Sequence, residues 1–276
     1  MPFLVFTIMA AVQGFEVVII PNKDECFQPL ERHCIPSSFE YKENRQGLSY
    51  TFEFFKQYGF DHVYVVCDND MVSEQVSICA KGFKSFVKTI QVYGSKGTGD
   101  ELQKISSQFH SDLIVVTGIP NLKMNLLNAL DDYRIRSCTL LIVLEKLQNH
   151  KEDKNKVNSI YGITNDCRII SYADVSSRFK EFNIPKALLQ DFPSFNLYTN
   201  LTDRNMYFCN TTFLNLLSVV KPADDLETEF IPALIRRQHY YRDFEEYRPM
   251  EEVMNAAKKD SGFNSSNRLI IRGYLV

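Results

Sequence analysis

The sequence predicts an α/β protein with a Rossmann-like sheet that is mixed but mainly parallel and carries helices on both faces. Short apolar runs alternate with helical patterns from Phe3 to Leu144, the order typical of a parallel sheet with crossover helices. Several of these runs are nearly continuous in apolar residues, as strands buried on both faces are. With 276 residues, 45% of them hydrophobic and 24% charged, the chain has the size and composition of a globular protein with one large α/β domain.

The first half of the chain is predicted as alternating strands and helices. The predicted strands are Phe3–Ala10, His62–Cys67, Val87–Val92, Asp112–Thr117 and Cys138–Leu144. The predicted helices are Tyr50–Tyr58, Ser73–Ala80, Asp100–Phe109 and Lys123–Arg134. The first of these helices has apolar residues three and four positions apart, and Gly59 follows it as a stop signal. Val17–Ile20 is a further apolar stretch between the first strand and the first helix.

The second half of the chain is more mixed. Lys146–Lys156 consists almost entirely of charged and polar residues and predicts a solvated loop. Short strands are predicted at Ser159–Ile163, Arg168–Tyr172 and Met206–Cys209, and a helix over Leu226–Arg237. Beyond Tyr241 a charged segment leads into a short predicted helix, and the apolar run Leu269–Val276 predicts one more strand.

Charge and residue spacing argue against several classes of function. A net charge of −3 gives no basic field for the phosphates of DNA or RNA, so direct nucleic-acid binding is not expected. No stretch approaches the roughly 18 apolar residues of a membrane span, and the apolar N-terminus lacks the basic residues of a signal peptide. We therefore expect a cytosolic protein that does not bind membranes. The seven cysteines form no C-x-x-C pair and the five histidines no metal-binding pattern, so neither a metal nor another cofactor is predicted.

Four parts of the chain carry motifs beyond secondary structure. Gly97–Leu102 reads Gly-Thr-Gly-Asp-Glu-Leu, Tyr50–Gly59 has a tyrosine nine residues before a glycine, and Asp112–Thr117 is an aliphatic strand. The fourth part is Leu201–Tyr207, which contains Leu-Thr-Asp and Met-Tyr, together with Glu229–Gln238 after it. Together these segments resemble the gamma subunit of the eukaryotic translation-initiation guanine-nucleotide exchange factor. The N-terminal domain of that family belongs to the sugar-nucleotidyltransferase superfamily, in which the G-T-x-D-x-L motif lies along the nucleotide base.

The resemblance implies a nucleotidyltransferase-like domain over residues 1–241. It also implies that residues 242–276 are a tail, in which the left-handed β-helix that the family carries after this domain is missing. The epsilon subunit of the same factor, another nucleotidyltransferase relative, is the alternative family member.

The resemblance further implies that the chemistry of an active nucleotidyltransferase is lost. Active members hold a triphosphate and a divalent metal with a glycine-rich loop that ends in arginine, a lysine before a proline, and an aspartate that ends a central strand. The corresponding residues are assigned as Glu16 for the arginine, Gln28 for the lysine and Gly118 for the aspartate. Each lost charge-assisted contact weakens phosphate binding by roughly 1.5–3 kcal/mol. The chain is therefore predicted to be a pseudoenzyme, with a vestigial nucleotide pocket formed by Gln13, Gly14, Glu16, Gln28, Gly97, Thr98, Gly99 and Asp100.

The implied function is that of a non-catalytic subunit in the exchange-factor complex, which promotes GDP/GTP exchange on the G protein that carries initiator tRNA. The expected partners are the other subunits, especially an epsilon-like subunit, and the G protein itself. Arg236 and Arg237 are the candidate partner contacts, and a favourable interaction with the helix dipole is the alternative role for them. A second hypothesis is a divergent, active sugar-phosphate nucleotidyltransferase that makes a nucleotide sugar.

The remaining polar residues that stand out have structural interpretations. Asp131 and Asp132 are predicted to lie on a solvated helical face beside Arg134. Asp203 matches an aspartate near the second metal position of the gamma family, and we expect it to be structural because Gly118 replaces the first ligand. Cys67 ends a strand and is predicted to be a buried thiol.

Overall fold

The structure, a computed structural model, describes residues 12–21, 40–41, 45–118, 124–147, 159–174, 184, 186–221, 223–240, 248–261 and 269–276. The chain divides into two compact units. Unit 1 comprises Met1–Ser137 and Asn205–Thr211, and unit 2 comprises Cys138–Arg204 and Thr212–Val276. The predicted strand Phe3–Ala10 and most of the predicted loop Lys146–Lys156 lie outside the described residues. None of the helices in the described ranges is long and apolar enough to cross a membrane.

The described residues form strands and helices in alternation. The strands are β1 (Phe15–Ile20), β2 (Glu40–Tyr41), β3 (Arg45–Gln46), β4 (Val63–Cys67), β5 (Val87–Gln91), β6 (Asp112–Thr117), β7 (Leu140–Lys146), β8 (Ser159–Ile163), β9 (Ile169–Asp174), β10 (Asn196–Tyr198), β11 (Leu201–Cys209) and β12 (Ile271–Leu275). The helices are α1 (Gly47–Gln57), α2 (Asp70–Cys79), α3 (Thr98–Ile105), α4 (Leu126–Arg136), α5 (Lys186–Asp191), α6 (Thr211–Val219), α7 (Ile231–Tyr240) and α8 (Arg248–Ser261). A 3₁₀ turn at Ser106–Gln108 follows α3, and a π-helical turn at Leu226–Phe230 precedes α7.

The strands assemble into a seven-stranded sheet in the order β12-β7-β11-β6-β1-β4-β5. A three-stranded sheet, β10-β8-β9, and the two-stranded pair β2-β3 accompany it. The large sheet is mixed, because β11 runs antiparallel to β6, whereas the pairs β1–β4, β1–β6, β4–β5 and β7–β12 are parallel. The predicted α/β fold with a mixed, mainly parallel sheet and flanking helices is thereby confirmed.

Unit 1 is built around β1, which lies between β4 and β6 and is parallel to both. The side chains of Val17–Ile20 are completely buried, since a central strand covered on both faces exposes neither side. Burying an aliphatic side chain of this kind contributes roughly 1.5–3 kcal/mol. The register of β1 against β6 runs from Phe15 opposite Asp112 to Ile20 opposite Thr117.

Local signals begin and end the helices of unit 1. Helix α1 buries Leu48 and Phe52, which lie four residues apart on one face. The chain leaves α1 through Gly59, whose φ of +81° is accessible to glycine without a Cβ clash. Helix α2 is capped by Asn69, whose side-chain oxygen accepts a hydrogen bond from the Val72 backbone N–H at 2.8 Å.

Unit 2 contains β7 and β12, which pair in parallel from Ile271 opposite Leu140 to Leu275 opposite Leu144. Strand β8 pairs antiparallel with both β9 and β10. The π-helical turn before α7 buries Phe230 completely. Strand β12 belongs to the segment 242–276, for which the sequence predicts a tail, and the boundary at residue 241 stays a prediction.

The other elements match the sequence predictions to different degrees. Strands β6 and β8 have the predicted bounds, and β4, β5 and β7 begin or end within two residues of them. The predicted helix over Leu226–Arg237 corresponds to the π-helical turn and α7, and the predicted last strand corresponds to β12. Helix α6 lies over residues for which the sequence analysis predicts no element.

Candidate functional site

The carboxyl ends of four parallel strands, β1, β4, β5 and β6, meet at one edge of unit 1. We call this region the carboxyl edge; its described residues are 21, 68–70, 92–101 and 118. Two backbone hydrogen bonds tie it together: Val92 N–H donates to the Cys67 carbonyl at 2.8 Å, and Gly118 N–H donates to the Ile20 carbonyl at 3.1 Å. Open α/β sheets bind their ligands at this kind of edge. It is therefore the region of unit 1 in which a nucleotide pocket is expected.

The prediction that Gln13, Gly14 and Glu16 share this pocket is wrong. They lie at the beginning of β1, which runs from Phe15 to Ile20, and Val17 pairs with Val63 near the beginning of β4. They are therefore at the amino ends of the parallel strands, whereas Gly97–Asp100 follow the carboxyl end of β5.

The amino end of β1 has its own contacts. The Glu16 carboxylate accepts a hydrogen bond from the Ser111 hydroxyl. The pKa of Tyr64 is raised mainly by burial and, to a smaller extent, by the charge of Glu16. Gln13 and Gly14 are exposed, and the Gln13 carbonyl accepts a hydrogen bond from the Arg134 guanidinium at 2.7 Å. Glu16 is thus part of a polar cluster at the amino ends and does not replace an arginine beside a phosphate.

The error has a physical cause in the pattern of apolar residues. A continuous apolar run such as Phe3–Ala10 is compatible with a buried strand, but periodicity alone does not locate the central strand. Among the described residues, β1 is the first strand of the parallel set, and the segment that follows it begins at Pro21. Gln28 belongs to that segment and lies outside the described residues.

Gly97–Asp100 lie where the sequence predicts them, at the start of α3 on the carboxyl edge. Thr98 and Gly99 are buried. The Asp100 carboxylate turns back on its own chain: it accepts a hydrogen bond from the Lys96 backbone N–H at 3.0 Å and forms an ion pair with the Lys104 ammonium at 3.0 Å. Partial burial by itself would raise the pKa of Asp100, but these two contacts outweigh it and hold the pKa below its ordinary value.

A second carboxylate in the first turn of α3 is also engaged within the chain. Glu101 is buried, and it accepts a hydrogen bond from the Ser95 hydroxyl at 2.8 Å. Both carboxylates in the first turn of α3 are thus bonded within the chain.

Gly118 ends β6 on the carboxyl edge, beside the end of β1. Its φ is +71°, a backbone conformation that favours glycine. It has no side-chain oxygen at the position where the resemblance implies a metal-binding aspartate. Within the described ranges, no three His, Cys, Asp or Glu side chains are grouped so that they could hold a metal ion.

Two other side chains at this edge have shifted pKa values. Cys67 is completely buried, and its burial, followed by the charge of Asp68, raises the pKa of its thiol to about 12. A thiol of this kind is not a nucleophile near neutral pH. The exposed Tyr93 donates a hydrogen bond to Asp70 at 3.1 Å, which raises the pKa of Tyr93.

In unit 2, α7 buries the predicted apolar stripe and displays one of the two candidate arginines. Phe230, Ile231, Leu234 and Ile235 are all buried. Arg236 is exposed. The Arg237 guanidinium donates a hydrogen bond to the Lys221 carbonyl at 2.8 Å and is therefore engaged within the chain.

Gln238 of the same helix belongs to a buried polar network that the sequence does not predict. The Gln238 side-chain amide donates to the Ile169 carbonyl at 2.5 Å, and its oxygen accepts a hydrogen bond from the Arg168 guanidinium at 3.4 Å. Arg168 also donates to the Leu269 carbonyl at 3.2 Å and lies 5.2 Å from the centre of the Phe192 ring. Nothing in the local sequence distinguishes these two residues from surface polar residues, because their partners are 69 or more residues away.

Unit 2 also contains a cleft that the sequence analysis does not predict. We call it the tyrosine cleft; it has a volume of about 120 Å³, and its polar lining is formed by Tyr161, Tyr172, Asp203, Glu227 and Thr228. The rest of the lining is aliphatic and comes from β7 and α7. The two tyrosine rings are 5.0 Å apart at 56°. Asp203 is the only one of these residues that the sequence singles out, and it was assigned there to a structural role.

The electrostatics of the tyrosine cleft are negative. Burial, followed by the charge of Asp203, raises the pKa of Tyr161. Burial is also the largest cause for Tyr172, whose pKa rises to about 12, and the charges of Asp174, Asp203 and Glu227 add to it. Both phenols are therefore neutral hydrogen-bonding groups at physiological pH, and the carboxylate charge reaches both of them.

No known protein-family model matches this chain.

Proposed function

We propose that this chain is a non-catalytic subunit of the translation-initiation guanine-nucleotide exchange factor. It has the nucleotidyltransferase-like fold of the family without the chemistry, and it acts in the cytosol by binding the other subunits, above all an epsilon-like subunit. The complex then promotes GDP/GTP exchange on the G protein that carries initiator tRNA. The sequence motifs of Glu229–Gln238 and Gly97–Leu102 connect the chain with this family.

The observation that carries the pseudoenzyme part of the proposal is Gly118. Gly118 lies at the carboxyl end of β6, and its N–H donates a 3.1 Å hydrogen bond to the Ile20 carbonyl at the end of β1. It has no side-chain oxygen that could bind a metal. A nucleotidyltransferase needs a divalent ion to offset the charge of two phosphates.

One observation favours the alternative of a divergent sugar-phosphate nucleotidyltransferase. Glu16 lies at the amino ends of the strands, so it does not repel a triphosphate at the carboxyl edge. The segment after β1 begins at Pro21 and contains Lys23 and Arg32, two cations in the part of the sequence where a phosphate-binding loop is expected.

Isothermal titration of the full chain with GTP and with ATP, each with Mg²⁺, separates the two functions. The non-catalytic subunit should release no heat of binding at micromolar nucleotide, because charge-assisted phosphate contacts worth roughly 1.5–3 kcal/mol each are missing. Micromolar binding that depends on Mg²⁺ would instead support the enzyme. Affinity purification from the native cells should recover other exchange-factor subunits, and a chain that never recovers any of them is not part of this complex.

Arg236 offers a sharper test of partner binding than the pair Arg236–Arg237. Arg237 is bonded to the Lys221 carbonyl, so its replacement also disturbs the unit itself. The substitution Arg236→Glu should leave the free energy of unfolding within about 0.5 kcal/mol of the wild type and should reduce the recovery of an epsilon-like subunit. Lys81→Glu, which reverses a charge at another exposed site, is the matched control. Equal recovery with both variants would remove this face of α7 from the interface.

A further inference from the structure

We propose that the tyrosine cleft of unit 2 binds a basic side chain, lysine or arginine, that a partner protein inserts into it. This inference rests on the proposed function, since it specifies the chemistry by which the subunit recognises a partner. It concerns Tyr161, Tyr172, Asp203 and Glu227, none of which is among the residues assigned to the vestigial nucleotide pocket.

The size of the cleft restricts its occupant. Sites for small molecules and cofactors have volumes of about 300–1,000 Å³, whereas the tyrosine cleft has about 120 Å³. It is too small for a nucleotide and has room for the end of one side chain. A single anchoring side chain in a pocket is a common way for one protein to hold another.

The charge of the cleft selects the sign of that side chain. Asp203 and Glu227 line it, and none of the described lining residues is Lys, Arg or His. Both carboxylates also interact with other groups of the chain, yet their charge still reaches the phenols of Tyr161 and Tyr172. A cation in the same space is stabilised by these carboxylates, and an anion is repelled.

The apolar and aromatic lining favours a cation on a hydrocarbon stem over a hydrated inorganic ion. Ile142, Ile231 and Ile235 line the cleft and can cover the methylene groups of a lysine or arginine. The tyrosine rings 5.0 Å apart provide aromatic surface, over which ammonium and guanidinium groups bind favourably. Carboxylates, phenols and aliphatic side chains thus complement the three parts of a basic side chain: its charge, its N–H donors and its stem.

Methyl NMR of the full chain tests this directly. The probes are Nα-acetyl-lysine methylamide and Nα-acetyl-arginine methylamide, and Nα-acetyl-norleucine methylamide is the neutral control. The δ1 methyl signals of Ile142, Ile231 and Ile235 should shift saturably with at least one basic probe and not with the neutral one. Ile135, which is 82% exposed in unit 1, should not shift with any of them. Equal shifts with the norleucine compound, or none with either basic compound, would overturn the proposal.

Variants then assign the binding to the carboxylates. The double substitution Asp203→Asn, Glu227→Gln should weaken the basic probe by roughly tenfold or more, since each charge-assisted contact is lost. Asp191→Asn with Glu251→Gln removes the same charge from exposed positions of unit 2 and should change the affinity less than about twofold, because exposed charges are well screened. Unchanged affinity in the first double variant would refute the role of the two carboxylates.

The aromatic part has its own variant. Tyr172→Phe keeps the ring and removes one hydroxyl acceptor, so it should weaken the basic probe less than Tyr172→Leu, which removes the ring as well and should weaken it several-fold. This pair of variants still tests the proposed binding if the carboxylate variant does not fold. Equal affinities of the Phe and Leu variants for the basic probe would contradict the aromatic contact.

The failure of this inference and the failure of the proposed function are distinguishable. Probe binding without recovery of any exchange-factor subunit keeps the basic-residue cleft and rejects the proposed complex. Recovery of the subunits with a cleft that ignores both probes keeps the complex and assigns its interface to another surface.

Discussion

The carboxyl edge of unit 1 and the tyrosine cleft of unit 2 both contain carboxylates and tyrosines, but they use them differently. At the carboxyl edge, Asp100 is paired with Lys104 and Asp70 accepts from the exposed Tyr93. In the tyrosine cleft, Asp203 and Glu227 lie with two largely buried phenols in a cavity whose described lining includes no cationic side chain. Asp100 at the carboxyl edge thus has a cationic partner on its own helix, and the proposed preference of the tyrosine cleft for a positive ligand rests on its two lining carboxylates.

The two regions also differ in how their helices are held. Helix α3 at the carboxyl edge begins with polar contacts, in which the half-buried Asp100 and the buried Glu101 accept hydrogen bonds from residues just before the helix. Helix α7, which lines the cleft, is preceded by the completely buried Phe230 of the π-helical turn. Buried apolar packing stabilises more than partly exposed polar contacts do. The comparison therefore predicts that substitutions of buried apolar residues that pack against α7 lower the free energy of unfolding strongly. Substitutions of polar residues at the carboxyl edge should lower it only slightly.

The largest expected effect is that of Phe230→Ala. The Phe230 ring is completely buried and meets the Phe213 ring edge-on at 5.4 Å, so the truncation leaves a cavity in unit 2. The substitution should lower the free energy of unfolding by about 3–5 kcal/mol, measured by urea denaturation. It should also abolish the methyl shifts of Ile231 and Ile235 with the basic probes, because α7 loses its anchor.

Ile135→Ala is the control for this loss of apolar volume. Ile135 is 82% exposed, and its truncation should change the free energy of unfolding by less than about 0.5 kcal/mol. If the Phe230 variant were as stable as the Ile135 variant, buried packing would not be what holds α7 in place.

An intermediate effect is expected for Asp100→Asn at the carboxyl edge. The loss of the ion pair to Lys104 and of the charged acceptor for Lys96 N–H should cost about 0.5–1.5 kcal/mol at neutral pH. The pKa of Asp100 is lowered in the folded state, so its contribution is present above the ordinary aspartate pKa of about 3.9. It is lost as the pH falls through the folded-state pKa.

Urea denaturation at several pH values measures this dependence. The wild type and the Asn variant should differ most at neutral pH and converge below about pH 4. Asp131→Asn, at an exposed position of α4, should stay within about 0.5 kcal/mol of the wild type throughout. A difference that persists at low pH would show that Asp100 acts through its shape and not through its charge.

The fold was largely predictable because the spacing of apolar residues along the sequence indicates which side chains are buried. Strand β6 is aliphatic and buried on both faces, and its predicted bounds are those observed. Helix α1 was recognisable from its apolar spacing and from Gly59. The central position of β1 was not, because two apolar runs precede α1, and only pairing with the distant strands β4 and β6 distinguishes the central one.

The candidate sites were less predictable for the same reason. Gly97–Asp100 could be placed because a motif and a helix start coincide there. The placement of Glu16 failed together with the placement of β1. The tyrosine cleft brings together Tyr161, Asp203 and Glu227 from three separate parts of the chain, and no local spacing encodes that arrangement. Asp203 was visible only through a family motif, which suggested a structural role.

The smallest effect concerns two tyrosines whose pKa values are raised for different reasons. A hydrogen bond to Asp70 is the main cause for the exposed Tyr93, whereas burial is the main cause for Tyr172, whose pKa is about 12. In Asp70→Asn, the pKa of Tyr93 should therefore fall close to the ordinary tyrosine value of about 10. In the double variant Asp203→Asn, Glu227→Gln, the pKa of Tyr172 should fall but remain above that value, because its burial is unchanged.

Titration of the tyrosine Cζ signals by ¹³C NMR between about pH 9 and 11, across the ordinary tyrosine pKa, measures both shifts. Burial keeps the pKa of Tyr172 above the ordinary tyrosine value. In the double variant, Tyr172 should therefore still be neutral at the pH at which Tyr93 of the Asp70→Asn variant ionises. Asp191→Asn, with its exposed carboxylate, should leave the titration of Tyr172 unchanged. A Tyr172 that titrated like an exposed tyrosine in the double variant would mean that carboxylate charge, and not burial, dominates the cleft. The contrast between the two regions would then be one of charge density alone, and a basic side chain would lose most of its affinity with those two substitutions.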